Sequence, residues 1–411
     1  MLVDNPGGLP RGNTDDPPTV SRLRDGVPSV IDTTDALEGV AAELGASSQP
    51  VALDVERAHG FRYTTNAYLV QIRREDVGTY LIDTHALPDL SALAPALDAT
   101  WILHDASQDL TNLRDLNLHT TDLFDTEVAA RLIGLQRFGL AAVCEQVLGF
   151  SLAKDHQASD WSVRPLPTDW LRYAALDVEF LTELYRRLSI TLHDMDRWEW
   201  AQEEFAHVLH APAPTPKTHH WRGIKGLGKL RSRRALAVAR ELWLTREEIA
   251  RDKDLERTRV VRNSDLLKAA QRPPTNRRQL RSLDSFRSPI TRPYTTDFLD
   301  AIERARRIPE DQLPPKRVTH PAGTIPEARL WQRLDEHAHE RLLAVREAVA
   351  GVAEQLGLAP EVVLEPRVQR FVCWAPLKPL TPEALDQRLD EGGARAWQRE
   401  LVSQCLFDAL R

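Results

Sequence analysis

Two acids on one face of a short apolar strand constrain this chain more than any other feature. Residues 51–56 read Val-Ala-Leu-Asp-Val-Glu. The alternation turns Val51, Leu53 and Val55 one way and Ala52, Asp54 and Glu56 the other. Two carboxylates on one strand face repel each other and resist desolvation. Such a strand either lies at an edge with its acids in water or faces a hard cation, which carboxylate oxygens favour. For this fragment alone both readings stand.

Two more acids and a phenol follow at suggestive places. Trp101-Ile102-Leu103 is an apolar run of the kind that makes a buried strand, and Leu110 and Leu113 then recur at helical spacing. Asp109 therefore falls in the opening turns of a helix beyond that strand. In an open α/β sheet, ligands gather beyond the carboxyl ends of strands. An acid early in a helix also serves as a cap or dipole partner, and the chain has 60 acidic residues. Tyr173 and Asp177 lie four apart in a segment where Leu171, Ala174, Ala175, Val178 and Leu181 form a helical stripe. Residues at i and i+4 point the same way, so a phenol and a carboxylate can face one site, or simply pack together at a surface.

Taken jointly and in this order, Asp54/Glu56, Asp109 and Tyr173/Asp177 resemble the three exonuclease motifs of the DEDD superfamily, in its tyrosine-bearing subgroup. The flanking words His104-Asp-Ala-Ser-Gln-Asp-Leu, Phe124-Asp-Thr-Glu and Ser159-Asp-Trp-Ser-Val-Arg-Pro-Leu are similar to the ribonuclease D family. The resemblance covers about residues 30–210. It implies a ribonuclease H-like α/β domain with a mixed sheet flanked by helices. It also implies two divalent cations, Mg²⁺ or Mn²⁺, held by Asp54, Glu56, Asp109 and Asp177, with Tyr173 aligning the attacking water. Asp125 is left out of the ligand set, because it reads as the cap of a helix beginning near Thr126. Trp161 and Arg164, just before the third motif, border the substrate groove on one reading; on the other, Trp161 packs into the core.

Composition sets bounds around this. The chain has 411 residues, enough for two to four domains, and is 42% hydrophobic. No apolar run approaches the roughly 18–20 residues of a membrane span. The amino terminus lacks a basic region followed by an apolar core, so no secretion signal is expected. Three scattered cysteines (Cys144, Cys373 and Cys405) form no zinc pattern and point to a reducing, cytoplasmic compartment. Cys144 reads as a small buried hydrophobe, and the His219–His220 pair as solvated.

The organisation read from prolines and periodicity is a disordered lead-in over 1–27 and an exonuclease domain over 28–210. An all-helical basic domain follows over 211–310. After a linker at 311–326 comes a second all-helical domain, 327–411. The first helical stretch resembles an HRDC domain, and the second reads as a divergent copy. The net charge of −7 hides an asymmetry: residues 1–210 carry about 33 acids against 16 bases, and 211–310 about 12 against 24. The middle segment thus suits a polyanion better than the acidic domain beside it. Within it Lys225, Lys229, Arg231, Arg233 and Arg234 cluster around Gly223, Gly226 and Gly228 near a helix start. They read as phosphate contacts, or as an ordinary solvated helix face.

The reading these features support is a metal-dependent 3′→5′ exoribonuclease. It would trim RNA with a free 3′ end, such as precursor tRNA, and release nucleoside 5′-monophosphates. No membrane association and no obligate protein partner are implied. Alternatives are a 3′→5′ DNA exonuclease in repair, although no G-x-x-x-x-G-K-[ST] helicase motif is present, and a non-catalytic RNA-binding protein.

Overall fold

The computed structural model describes residues 18–153, 158–212, 221–316 and 324–411. The expected lead-in before residue 18, the prolines of 213–220, the His219–His220 pair and the middle of the second linker lie outside them.

The amino-terminal half is built on a six-stranded mixed sheet. Its strands belong to a series of eight among the described residues: β1 (Thr19–Val20), β2 (Val30–Ile31), β3 (Val51–Arg57), β4 (Ala67–Arg74), β5 (Gly78–Asp83), β6 (Trp101–Leu103), β7 (Leu123–Asp125) and β8 (Ser151–Leu152). The large sheet runs β2-β5-β4-β3-β6-β7. Antiparallel β3, β4 and β5 form its centre, while β6 and β7 extend it parallel to β3. β1 and β8 pair separately. The expectation of a disordered lead-in to residue 27 is therefore corrected from Pro18 onward. That segment is held by β8, by Leu23 packing on the core and by ion pairs from Arg24 and Asp25.

The alternation read from the sequence holds on β3. Val51, Leu53 and Val55 are buried against α1 (Thr34–Gly45) and its neighbours, with Leu37, Val40 and Leu44 facing them. Thr33 caps α1 by accepting from the Ala36 N–H. On the other face Ala52 joins Ile102 and Phe124. The helices of this half are α2 (Leu110–Asp115), α3 (Thr126–Leu132), α4 (Leu140–Leu148), α5 (Thr168–Glu179), α6 (Leu181–Asp194) and α7 (Trp198–His210). Buried Ala174 and Ala175 bring α5 close onto β3, β4 and β5. Cys144 is buried in α4, as expected, and burial pushes its thiol up to about 12.

Asp125 caps α3 as the sequence suggests, and does more. One carboxylate oxygen accepts from the Glu127 and Val128 N–H groups, and the two oxygens together accept from Asp105 and Ala106 across the sheet. It thereby pins the turn that leads to Asp109. At 2% exposure, Asp125→Ala would strand these donors, and we expect a loss of roughly 3 kcal/mol in urea unfolding.

Beyond residue 220 the chain is helical. α8 (Arg233–Asp252) packs with helices Asn263–Gln271 and Thr295–Arg307 around Phe298, Leu266 and Leu242. Residues 324–411 form a further helical body around Leu342, Val345 and Leu406. It is bolted to the first half by Arg197, which donates to the Leu132 and Leu356 carbonyls, and by a Trp200–Trp397 stack at 4.8 Å. Among the described residues no helix is long and apolar enough to cross a membrane.

Candidate metal-dependent nuclease site

Three secondary-structure elements bring the predicted acids together. Asp54 and Glu56 project from β3. Asp109 immediately precedes α2, after a 3-10 turn, Ala106–Gln108, that follows the adjacent parallel strand β6. Tyr173 and Asp177 come from successive turns of α5, across the same end of the sheet. One carboxylate oxygen each from Asp54, Glu56 and Asp177 lies within 4.8 Å of the others. Asp109 is not one of that trio but lies beside it, where its charge and those of Asp54 and Glu56 repel.

The electrostatics are those of a site short of positive charge. Burial raises the proton affinity of all four acids, and for Glu56, Asp109 and Asp177 mutual repulsion lifts it well above the ordinary carboxylate range. Glu56 and Asp109 are only 8% and 3% exposed. Four crowded oxygen donors that hold protons so tightly are a fitting set for hard divalent cations. The Tyr173 hydroxyl bonds the Asp177 carboxylate, and burial together with the surrounding acids drives its pKa far upward. It therefore stays neutral and can orient a water molecule without acting as a base.

Several neighbours were not visible as site residues in the sequence. Arg57 donates to the Gln108 carbonyl at 2.6 Å and sits 3.4 Å from Asp109, opposing the negative charge. In a regular strand it would point away from Glu56. The β3–β4 ladder also slips between Glu56 and Arg57, and no residue pattern announces a bulge of this kind. Gln71 lies directly opposite Asp54 in the β3–β4 ladder and is fully buried. Neither atom of its amide has a hydrogen-bond partner among the described residues, so water or a bound group is its natural complement. An isolated Gln in an apolar strand gives no such signal in sequence.

Trp161 packs into the core, and Arg164 is engaged beside it. Trp161 is 0% exposed and packs on Trp170 and Tyr173, with ring centroids 5.3 and 6.4 Å away. Arg164 donates to both Asp83 oxygens and to the Tyr68 and Trp161 carbonyls, fixing the approach to α5. Of the five basic residues expected to contact RNA, Arg233 and Arg234 are engaged within the fold. Arg233 donates to the Leu313 and Pro314 carbonyls, and Arg234 to those of Ala305, Arg306 and Ile308, with Glu310 as ion-pair partner. For Arg234 the carbonyls are those left open at the end of the Thr295–Arg307 helix, and for Arg233 those of the segment beyond it. Lys225, Lys229 and Arg231 remain exposed.

Comparison with known proteins shows the family. Residues 28–193 match a family model described as 3′-5′ exonuclease, and 235–302 one described as HRDC domain. Residues 324–410, read above as a divergent HRDC copy, match one described as 3′ to 5′ exonuclease C-terminal domain. A curated ribonuclease D of Pseudomonas paraeruginosa is 31% identical over 88% of this chain and 93% of its own length. The chain belongs to the ribonuclease D family. It is accordingly a 3′–5′ exoribonuclease, with the α/β exonuclease fold followed by helical domains. Escherichia coli RNase D, whose structure is described as that of an exoribonuclease involved in structured RNA processing, superposes with a TM-score of 0.62. That match has 26% identity and covers 88% of this chain and 98% of the other. A protein from Bifidobacterium adolescentis matches with a TM-score of 0.88 at 37% identity, covering 96% of this chain and all of the other. Ribonuclease D membership implies divalent-metal binding, with which the acidic cluster is consistent.

Proposed function

We propose that this ribonuclease D family member trims the 3′ ends of structured RNA, precursor tRNA among them, and releases nucleoside 5′-monophosphates. The observation that carries the reading is the meeting of Asp54, Glu56 and Asp177 at one end of the sheet, with Asp109 and Tyr173 beside them. Bound at these acids, two divalent cations would acidify the attacking water and neutralise charge on the scissile phosphate and the leaving 3′ oxygen. The protein's own part is to supply the oxygen donors, to aim the water through the neutral Tyr173 hydroxyl, and to exclude bulk solvent with the wall around Trp161 and Leu166.

The helical domain would hold the body of the RNA by its phosphates. Lys225, Lys229 and Arg231 stand around Gly226, whose φ of +96° allows the tight turn there. Replacing all three by alanine should raise KM. It should also flatten the dependence of log affinity on log salt by about 2, some 0.7 for each single-strand phosphate no longer neutralised. An unchanged slope in filter binding would remove these residues from the RNA path.

The deciding experiment is digestion of an end-labelled, 3′-extended tRNA with Mg²⁺ or Mn²⁺, beside a matched single-stranded DNA. Stepwise loss of 3′ nucleotides from RNA supports the proposal. Preference for DNA would turn it toward repair, and binding without cleavage toward a scaffold.

A further inference from the structure

Residues 58–66, which connect β3 to β4, leave the sheet two positions beyond Glu56 and touch every segment that carries a site acid. The Asn112 amide, on α2 three residues past Asp109, donates to the Thr65 carbonyl at 2.7 Å. Arg62 donates to Ser162 at 2.7 Å, and Ser162 in turn bonds Asp160, in the stretch leading to α5. The same short connection thus braces the strand of Asp54 and Glu56, the helix of Asp109, and the approach to Tyr173 and Asp177.

Its other side is gripped by the basic helical domain. One oxygen of Asp254 accepts from the Tyr63 N–H at 3.2 Å, the Thr64 N–H at 3.0 Å and the Thr64 hydroxyl at 2.9 Å. The Glu256 N–H donates to the Phe61 carbonyl at 2.9 Å, and Arg259 to the Gly60 carbonyl at 2.7 Å. Arg259 also stacks over the Phe61 ring at 3.9 Å, and Arg257 lies over Tyr63 at 5.3 Å. Asp254 itself has a φ of +45°, a left-handed conformation that residues with a Cβ rarely adopt. A backbone held there to present a single oxygen to three donors indicates that the contact is specified by its surroundings.

We propose that Asp254 is a positioning residue for the carboxylate site. By fixing residues 58–66 from the neighbouring domain, it keeps the three acid-bearing segments in the mutual arrangement that binds divalent cations. The helical domain then serves the chemistry as well as the RNA. This rests on the exoribonuclease reading, and the test is designed to separate the two.

The test compares full-length wild type with Asp254→Ala, Asp254→Gly and Asp254→Asn. Glycine relieves the backbone conformation but removes the acceptor, whereas asparagine tolerates it and keeps one acceptor oxygen. The readouts are amide exchange of residues 58–66, calorimetric Mn²⁺ affinity, and kcat and KM on a short single-stranded RNA. For the alanine and glycine variants we expect faster exchange, about 10-fold weaker Mn²⁺ binding, and kcat down about 10-fold with KM little changed. Asparagine should restore all three to near wild type. The proposal is overturned if Mn²⁺ affinity and kcat survive accelerated exchange, if the change is confined to KM, or if asparagine fails to rescue. A wild-type chain that bound Mn²⁺ but released no nucleotide would sink the nuclease reading, leaving exchange and metal affinity to decide this one.

Discussion

Asp54→Asn will cut divalent-dependent release of mononucleotides by about 1,000-fold while leaving the fold intact, as read by end-labelled digestion beside circular dichroism. Asp54 is the acid that the other three share. It lies within reach of Glu56 and Asp177 and beside Asp109. The same substitution should stabilise the metal-free protein. All four acids bind protons more tightly in the folded than in the unfolded chain, where carboxyl pKa values are near 4. The stability linked to their protonation is thus fully present below about pH 4 and is lost as pH rises through the raised folded values. The melting advantage of Asp54→Asn over metal-free wild type must therefore grow from pH 4 toward neutrality, and Mg²⁺ should raise the wild-type melt more than the variant's. A variant that melts below metal-free wild type at pH 7, or that turns over RNA normally, would refute the assignment.

Tyr173→Phe carries the second large effect, a fall in kcat of about 100-fold with little change in Mg²⁺ affinity. The hydroxyl is the one group removed. The ring stays wedged on Trp161, and the Asp177 carboxylate remains in place to bind cations. Because the phenol stays neutral at working pH, its contribution is alignment by hydrogen bonding. The pH–rate profile of the variant should accordingly keep the shape of the wild-type curve, merely lowered. A shifted limb in that profile would mean that Tyr173 exchanges a proton during turnover.

Local pattern showed which way the acids face, and the resemblance to the DEDD motifs is what joined them into one expected site. Alternation fixed the face of Asp54 and Glu56, and a helical stripe fixed that of Tyr173 and Asp177. What escaped depended on geometry with no local signature. Arg57 joins the site only through tertiary contacts with Asp109 and the Gln108 carbonyl. Gln71 matters only because the register sets it across from Asp54. Arg233 and Arg234 looked like free charge on a helix start, yet tertiary folding delivers bare carbonyls some seventy residues downstream to them. Charge counting finds a basic region and cannot tell which of its members are already engaged. The amino-terminal segment was misjudged for a related reason. A two-residue strand such as Thr19–Val20 is specified by its distant partner Ser151–Leu152 and by nothing in its own composition.

The engagement of Arg233 and Arg234 with residues 305–314 has an architectural corollary. Where the polypeptide enters the basic helical unit it is stapled to where it leaves, so the unit is a closed cassette whose two ends are neighbours. Evolution or an engineer could splice such a cassette in, out or onto another enzyme with little disturbance to the body it was attached to. What a foreign cassette would not bring is the grip on the β3–β4 connection.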